Sequence, residues 1–239
     1  TSHIDLYSME TGVPVAQVES NYLTTLKTGA SAAVATRCLA REDASVLAVI
    51  GAGELSKHVV SCLSRVRRLK ELRIYDRDPS QSESLADWLK DHVGAAFEIK
   101  IAPDGEACVA TADIVATCTT SPVPVLESGH VADGCHINAM GSFTPDMQEI
   151  DARTIERCSK IVVDVAADAW AHAGDLIRPL EAGIIGRDAI YGTLGDIVSG
   201  ALPGRSDPRE ITLFESIGFG VLDVALAIAA YEACGRPRK

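Results

Sequence analysis

Long apolar runs are missing from this sequence: no stretch approaches the roughly 18 to 20 consecutive apolar residues of a membrane-spanning helix. The opening residues also lack a signal-peptide pattern. Paired cysteine spacing is missing too. The seven cysteines (38, 62, 108, 118, 135, 158 and 234) are odd in number, scattered, mostly inside apolar runs, and nowhere spaced C-x-x-C. That pattern argues against a disulfide framework and for reduced core thiols in a cytoplasmic protein. Basic charge is scarce, with a net charge of −11, which speaks against nucleic acid or an anionic membrane as partner. The one basic run, Arg65 to Lys70, reads as a solvated helix end. Internal repeats and low-complexity tracts are absent. An initiator Met is absent as well; the chain opens on a strand-like segment, so an upstream portion is expected.

What is present is 239 residues with 47% hydrophobic content, enough for one large or two modest domains with a real core. The stretch that organises them is VLAVIGAGELSKHVVSCLSRV, residues 46–66. Val46 to Ile50 read as a buried strand, Gly51-Ala52-Gly53 as a tight turn, and the segment from Glu54 as a helix with Val59, Cys62, Leu63 and Val66 at helical spacing. A dinucleotide pyrophosphate needs this order: a backbone without side chains in the way, facing unpaired N–H groups at a helix start. Gly51 would make the turn and Gly53 would let the phosphates approach, with Ala52, Glu54 and Leu55 alongside. Ser56 occupies the third position of the G-x-G-x-x-G/A fingerprint. Glu54 would oppose a phosphate unless its side chain turns to solvent.

A second strand, Glu71 to Tyr75, ends at Asp76, about 20 residues past the third fingerprint position, where an acid can accept from the adenosine ribose hydroxyls. Arg77 follows and could stack on adenine or pair with a 2′-phosphate. With Asp76 and Asp78 flanking a single base, local charge favours NAD(H), while NADP(H) remains open.

Around this unit, His3 to Tyr7 and Val13 to Val18 read as two strands, and residues 20–40 as a helix with a small face at Gly29, Ala30, Ala32, Ala33 and Ala35. That face predicts packing against the nucleotide-binding unit. Downstream, a helix at 80–93 and strands at Phe97–Ile101, Ala112–Thr117, Cys135–Ala139, Ile161–Val165 and Ile211–Phe214 precede an apolar helix at 219–234. Strands alternating with helices predict a Rossmann-type, doubly wound parallel sheet of the α/β class. Strand ends in such a sheet line the ligand crevice, which makes Thr117, Thr119, Asn138, Met140 and Ser216 cofactor-contact candidates. A turn merely rich in hydroxyls is the competing reading at 117–121. His58 and His136 read as packing residues, since neither has an acid or metal-spaced partner, and no metal site is expected. Asp223 reads as an acid favouring a helix dipole.

The ordered set LTTLKTGASAAVA (23–35), VIGAGELSKH (49–58), YDRDP (75–79), ADIVATCTTSPVPVL (112–126), HINAMGSFTPDMQEID (136–151) and ITLFESIGFGVLD (211–223) resembles the ornithine cyclodeaminase/mu-crystallin family over nearly the whole chain. The resemblance implies an NAD(P)-dependent Rossmann domain, here 41–210, beside a partial, discontinuous substrate and dimerisation domain from 1–40 and 211–239. Family members carry roughly 80 to 90 further residues upstream, a size suited to the rest of that second domain, and these supply a substrate-binding Arg and Lys. The resemblance also implies a homodimer through residues 1–40 and the C-terminal helix.

Three departures bear on chemistry. Lys27 stands where the family's L-T-x-x-R-T motif has an Arg, keeping the charge for a substrate carboxylate but losing the bidentate fork. Leu55 replaces a Gln that often follows the glycine turn. Phe143 stands where cyclodeaminases carry a catalytic Asp, and an aromatic ring cannot take a proton from an amine. GSFTPDMQE is similar to the branch that reduces cyclic imino acids, whose ring suits an apolar wall. The expectation is therefore an NAD(P)H-dependent reductase of small α-imino acids such as pyrroline-2-carboxylate. Lys27, Phe143 and Ile217 are its substrate-contact candidates, Ser216 and Asn138 orient the nicotinamide, and no catalytic acid is identified. Ornithine cyclodeaminase, alanine dehydrogenase and a mu-crystallin-like binder without useful catalysis are the alternatives.

Overall fold

In the computed structural model, which describes residues 2–94 and 96–234, the chain opens on an antiparallel hairpin of β1 (His3–Tyr7) and β2 (Pro14–Glu19). It continues into the 19-residue helix α1 (Asn21–Leu39). The apolar run at Val46–Ile50 is β3, and Glu54–Leu63 is α2. Then come β4 (Glu71–Tyr75), α3 (Pro79–Val93), β5 (Glu98–Ile101), α4 (Gly105–Val109) and β6 (Ile114–Thr117). The remainder is β7 (His136–Ala139), α5 (Ala152–Arg157), β8 (Lys160–Val163), α6 (Ala166–His172), α7 (Gly174–Glu181), β9 (Ile190–Thr193), α8 (Leu194–Val198), β10 (Thr212–Glu215) and α9 (Gly220–Ala233). Local chemistry sets several boundaries. α3, for example, starts at Pro79 behind Asp78, whose carboxylate accepts the Ser80 N–H, and stops at Gly94 with φ +59°, where a left-handed residue ends a helix at least cost.

Among the described residues, eight strands form one parallel sheet in the order β5-β4-β3-β6-β7-β10-β8-β9. The expected Rossmann-type α/β architecture is therefore present. The strand order reverses between β3 and β6, and ligands of open parallel sheets bind at such a reversal, outside the carboxyl ends of the strands. Two hydrophobic layers flank the sheet, one including Leu39, Leu47, Leu72 and Phe214, the other Ile50, Ile137, Val163 and Leu213.

The segment 211–239, expected to return as a whole to the N-terminal unit, divides. β10 enters the sheet between β7 and β8, with Phe214 in register with Asn138 and Val162. α9 leaves the sheet and packs on α1 and the hairpin; residues 235–239 lie outside the described residues. The fully buried Thr212–Glu215 strand carries no periodicity that would reveal its neighbours. β9 and the short helices α4 to α8 went unpredicted, being too brief to show a hydrophobic period.

α1 lies on α2 as its small face predicts: a Cβ at Gly29 would come within 2.6 Å of the His58 carbonyl oxygen. The basic run 65–70 is corrected at Arg67, which is buried. Its guanidinium donates to the carbonyls of Thr36 (2.8 Å), Ala40 (3.0 Å) and Arg41 (2.9 Å). The Thr36 and Arg41 carbonyls also accept the N–H groups of Ala40 (3.0 Å) and Ala44 (3.3 Å), so the guanidinium adds positive charge to partly satisfied acceptors at the C-terminal end of α1.

Candidate active site

The glycine turn sits at the carboxyl end of β3. Gly51 has φ +92°, and a Cβ there would meet the Cys118 carbonyl oxygen at 2.7 Å, so both its conformation and the close approach of β6 demand glycine. At Gly53 an added Cβ meets nothing within 4 Å. α2 starts behind Gly53 with no side-chain cap, leaving its first N–H groups facing that space, which fits a pyrophosphate. Ser56 is buried and donates its hydroxyl to the Gly51 carbonyl at 2.6 Å, tying helix to turn where other fingerprints carry Gly or Ala. Glu54 turns aside to Lys57 (2.6 Å). Leu55 packs, partly buried, on the core.

Asp76, expected to meet the adenosine ribose, is engaged by backbone. One carboxylate oxygen accepts the Ala52 N–H at 2.8 Å and the other accepts the Asp78 N–H at 2.9 Å, so the acid at the end of β4 shapes the glycine turn. Arg77 is exposed beside it.

Across the crevice, parallel-strand burial alters the expected roles. Thr117 is fully buried and donates to Glu149 (2.9 Å); Met140 is buried in the core with its N–H on the Thr117 carbonyl (3.0 Å). Asn138 is buried and donates to Thr36 of α1 at 3.0 Å. These three side chains lie beneath the crevice floor, not on it, because central strands are covered on both faces. Thr119 is half-buried at the crevice, and its N–H donates to Glu149 at 2.6 Å.

Glu149, which sequence reasoning missed, holds this wall together. Its carboxylate takes the Thr117 hydroxyl and the N–H groups of Thr119 and Gly141 (2.8 Å). Asp175 in turn accepts the Glu149 and Ile150 N–H groups, both at 2.8 Å. Burial raises the Glu149 carboxyl and pushes Asp175 up to about 7, with Glu149's charge adding to the latter. Glu215 is 1% exposed, and neither carboxyl oxygen has a partner among the described residues. Burial, then the charges of Asp175, Glu149 and Asp164, hold it well above the usual carboxylate range. A string such as LFESIG offers no signal that its acid points inward.

Beside this wall, α1, β9, α8, α9 and the residue after β8 line an open apolar cavity of about 530 Å³. The charged side chains in its lining are Lys27 and Asp164. Lys27 pairs with Asp223, which corrects the reading of Asp223 as a mere dipole partner. Ser216, buried, donates its hydroxyl to Asp164 at 2.6 Å. Ile217 packs against the core, and Phe143, 49% exposed on the loop after β7, is not among the lining side chains. His58 is buried edge-on to Tyr22, and the buried His136 lies 3.0 Å from the Thr212 hydroxyl, with burial pulling it down to about 3. Among the described residues no group of His, Cys, Asp and Glu could hold a metal, and no helix is long and apolar enough to cross a membrane.

Residues 1–236 match the ornithine cyclodeaminase/mu-crystallin family. The chain belongs to that family. A curated relative from it, the Delta(1)-pyrroline-2-carboxylate reductase of Bacillus cereus, is 36% identical over 228 residues, covering 95% of this chain and 69% of the relative. Among solved structures, Thermococcus litoralis Delta(1)-pyrroline-2-carboxylate reductase with NADH and L-proline superposes with a TM-score of 0.93 at 34% identity, covering 96% of this chain and 70% of that one. An archaeal alanine dehydrogenase dimer with bound NAD gives 0.89 at 33% identity, with the same coverage of 96% and 70%. Like them, this member of the family is a nicotinamide-dependent oxidoreductase, and the open face of Gly53 at the uncapped start of α2 has room for such a cofactor.

Proposed function

We propose that the protein reduces the C=N bond of a small cyclic α-imino acid, with pyrroline-2-carboxylate as the substrate class, and takes its hydride from NADH. The observation that carries this reading is the apolar cavity holding one cation, Lys27, and one carboxylate, Asp164, at the crevice. A protonated ring imine bearing a carboxylate is apolar apart from one anion and one cation, and those are the charges the lining complements. Lys27 keeps N–H donors beyond the one given to Asp223, and these would hold the substrate carboxylate. The uncapped start of α2 and the Gly53 face would hold the pyrophosphate, Asp76 the adenosine ribose, and Ser216 would orient the nicotinamide end. Bound reduced nicotinamide supplies the hydride; the chain supplies position, an apolar surface and charge complementarity.

The fixed charge of Asp76 favours NAD(H) over a cofactor carrying an added phosphate. Tyr7, Met9, Val13, Tyr22, Val221 and Val224 are exposed on the hairpin, α1 and α9, which supports a homodimer through that face. A second reading, alanine dehydrogenation, draws on the archaeal relative and uses the same charges with an acyclic imine. A substrate panel tests both: oxidation of NADH, followed by absorbance, with pyrroline-2-carboxylate or with pyruvate plus ammonia, beside proline and ammonia release from ornithine. Fastest turnover of the ring imine is expected. Faster ornithine turnover, or NADH binding without any turnover, would overturn the proposal.

A further inference from the structure

Asp164 follows β8 directly and, with Lys27, lines the apolar cavity. The titratable and charged groups around it are Lys27 on α1, Asp223 on α9 already paired with that lysine, and the buried, unpartnered Glu215 at the end of β10, beside the Ser216–Gly218 turn that follows it. Ser216 donates its hydroxyl to one Asp164 oxygen at 2.6 Å. That bond fixes the group without neutralising it and does not remove it from the cavity lining. Asp223 turns to Lys27, which leaves Asp164 as the lining carboxyl without a cationic side chain bonded to it.

We infer that Asp164 is the proton donor to the imine nitrogen, bound in place by Ser216, an assignment that rests on the imino-acid reading above. The Asp164 O–H bond breaks as the nitrogen takes the proton. The C=N carbon then accepts the hydride from reduced nicotinamide, and the π pair passes to nitrogen. Asp164 is left as carboxylate and regains its proton from solvent. Imino acid, reduced nicotinamide and one proton thus become amino acid and oxidised nicotinamide. Burial holds the Asp164 carboxyl above its ordinary range against the pull of Ser216, Gly218 and Lys27, the direction a donor working near neutral pH requires. The product nitrogen leaves that step as a neutral amine with one N–H, and takes a second proton from solvent to become the ring ammonium, from which Asp164 as carboxylate accepts.

The test compares wild type, Asp164→Asn and Asp164→Glu as purified protein. Asparagine still accepts from Ser216 but carries no proton. Asp164→Asn should lower kcat for pyrroline-2-carboxylate by at least about 100-fold, the usual yield of a positioned acid, with NADH affinity unchanged. A fall in kcat toward high pH should be present in wild type, partly restored in Asp164→Glu, and lost in Asp164→Asn. A limb common to all three belongs to the substrate.

An equilibrium readout accompanies this. By calorimetry in the presence of NAD, wild type should prefer L-proline over tetrahydrofuran-2-carboxylate, whose ring oxygen cannot donate, and Asp164→Asn should lose that preference. If Asp164→Asn does not fold, the wild-type preference and the Asp164→Glu profile decide. No preference in wild type, or an unchanged kcat and pH limb in Asp164→Asn, would overturn the assignment while leaving the reductase reading intact. Absence of any imine turnover by wild type that still binds NADH would instead remove the reading, and the assignment with it.

Discussion

Single side chains proposed to meet ligand also hold the structure here. Asp76 is the clearest case: both oxygens are engaged by backbone N–H groups of the glycine turn and of the β4–α3 junction. Replacing it by Ala should cost about 1–3 kcal/mol of stability, since two N–H groups lose an ionised acceptor, and should weaken NADH about tenfold. Thermal melts and fluorescence titration check both effects. If Asp76→Ala leaves NADH affinity unchanged while Arg77→Ala selectively weakens NADPH, the cofactor preference is the reverse.

Asp175 makes a pH prediction. Its carboxyl is raised to about 7 in the folded chain against 3.8 when exposed, so between those values the folded state binds more protons than the unfolded one. Stability should then fall as pH rises through that window, with the full contribution present below it. The raised carboxyl of Glu215 acts in the same direction. Glu210, lowered to about 2 by Ser206 and Lys160 despite burial, has the opposite sign but acts only below the ordinary carboxylate range. Urea midpoints at pH 5 and pH 8 should differ less in Asp175→Asn than in wild type. Phe143 makes a separate one: half-exposed and outside the cavity lining, its replacement by Asp should leave NADH binding, melting and ring-imine reduction unchanged, and a large fall in that reduction would place the ring against the substrate.

At the scale of elements, helix packing depends on small residues placed where backbones meet. Gly29 faces the His58 carbonyl with no room for a Cβ, so Gly29→Val should push α1 from α2 and destabilise the fold by about 1–3 kcal/mol. Gly53→Ala should melt like wild type yet bind NADH less well, because its Cβ enters the empty space proposed above for the pyrophosphate. The contrast between these two glycines, read by melting and by NADH titration, separates packing from binding. The elements with strong local periodicity or turn chemistry, β3, α2, β4, α3 and α9, were legible in the sequence to within a few residues. The four-residue strand β9 and the helices α4 to α8 were not, since a period needs more residues than they possess.

For the whole molecule, the exposed apolar residues of the hairpin, α1 and α9 predict a homodimer, and light scattering should show one. Val224→Glu on that face should shift it to monomer without lowering the melting of an isolated subunit; an unchanged mass would place the interface elsewhere. The sequence by itself determined the α/β class, the dinucleotide turn, the family and the charge of Lys27, because each is written within a short local stretch. Only the tertiary structure decided that β10 lies between β7 and β8, that Thr117, Asn138 and Met140 are buried beneath the crevice, and that Glu149, Asp164, Asp175 and Glu215 converge. The partner of Lys27 is Asp223, 196 positions away. Contacts at that separation are set by how layers stack on a sheet, and no local pattern encodes them.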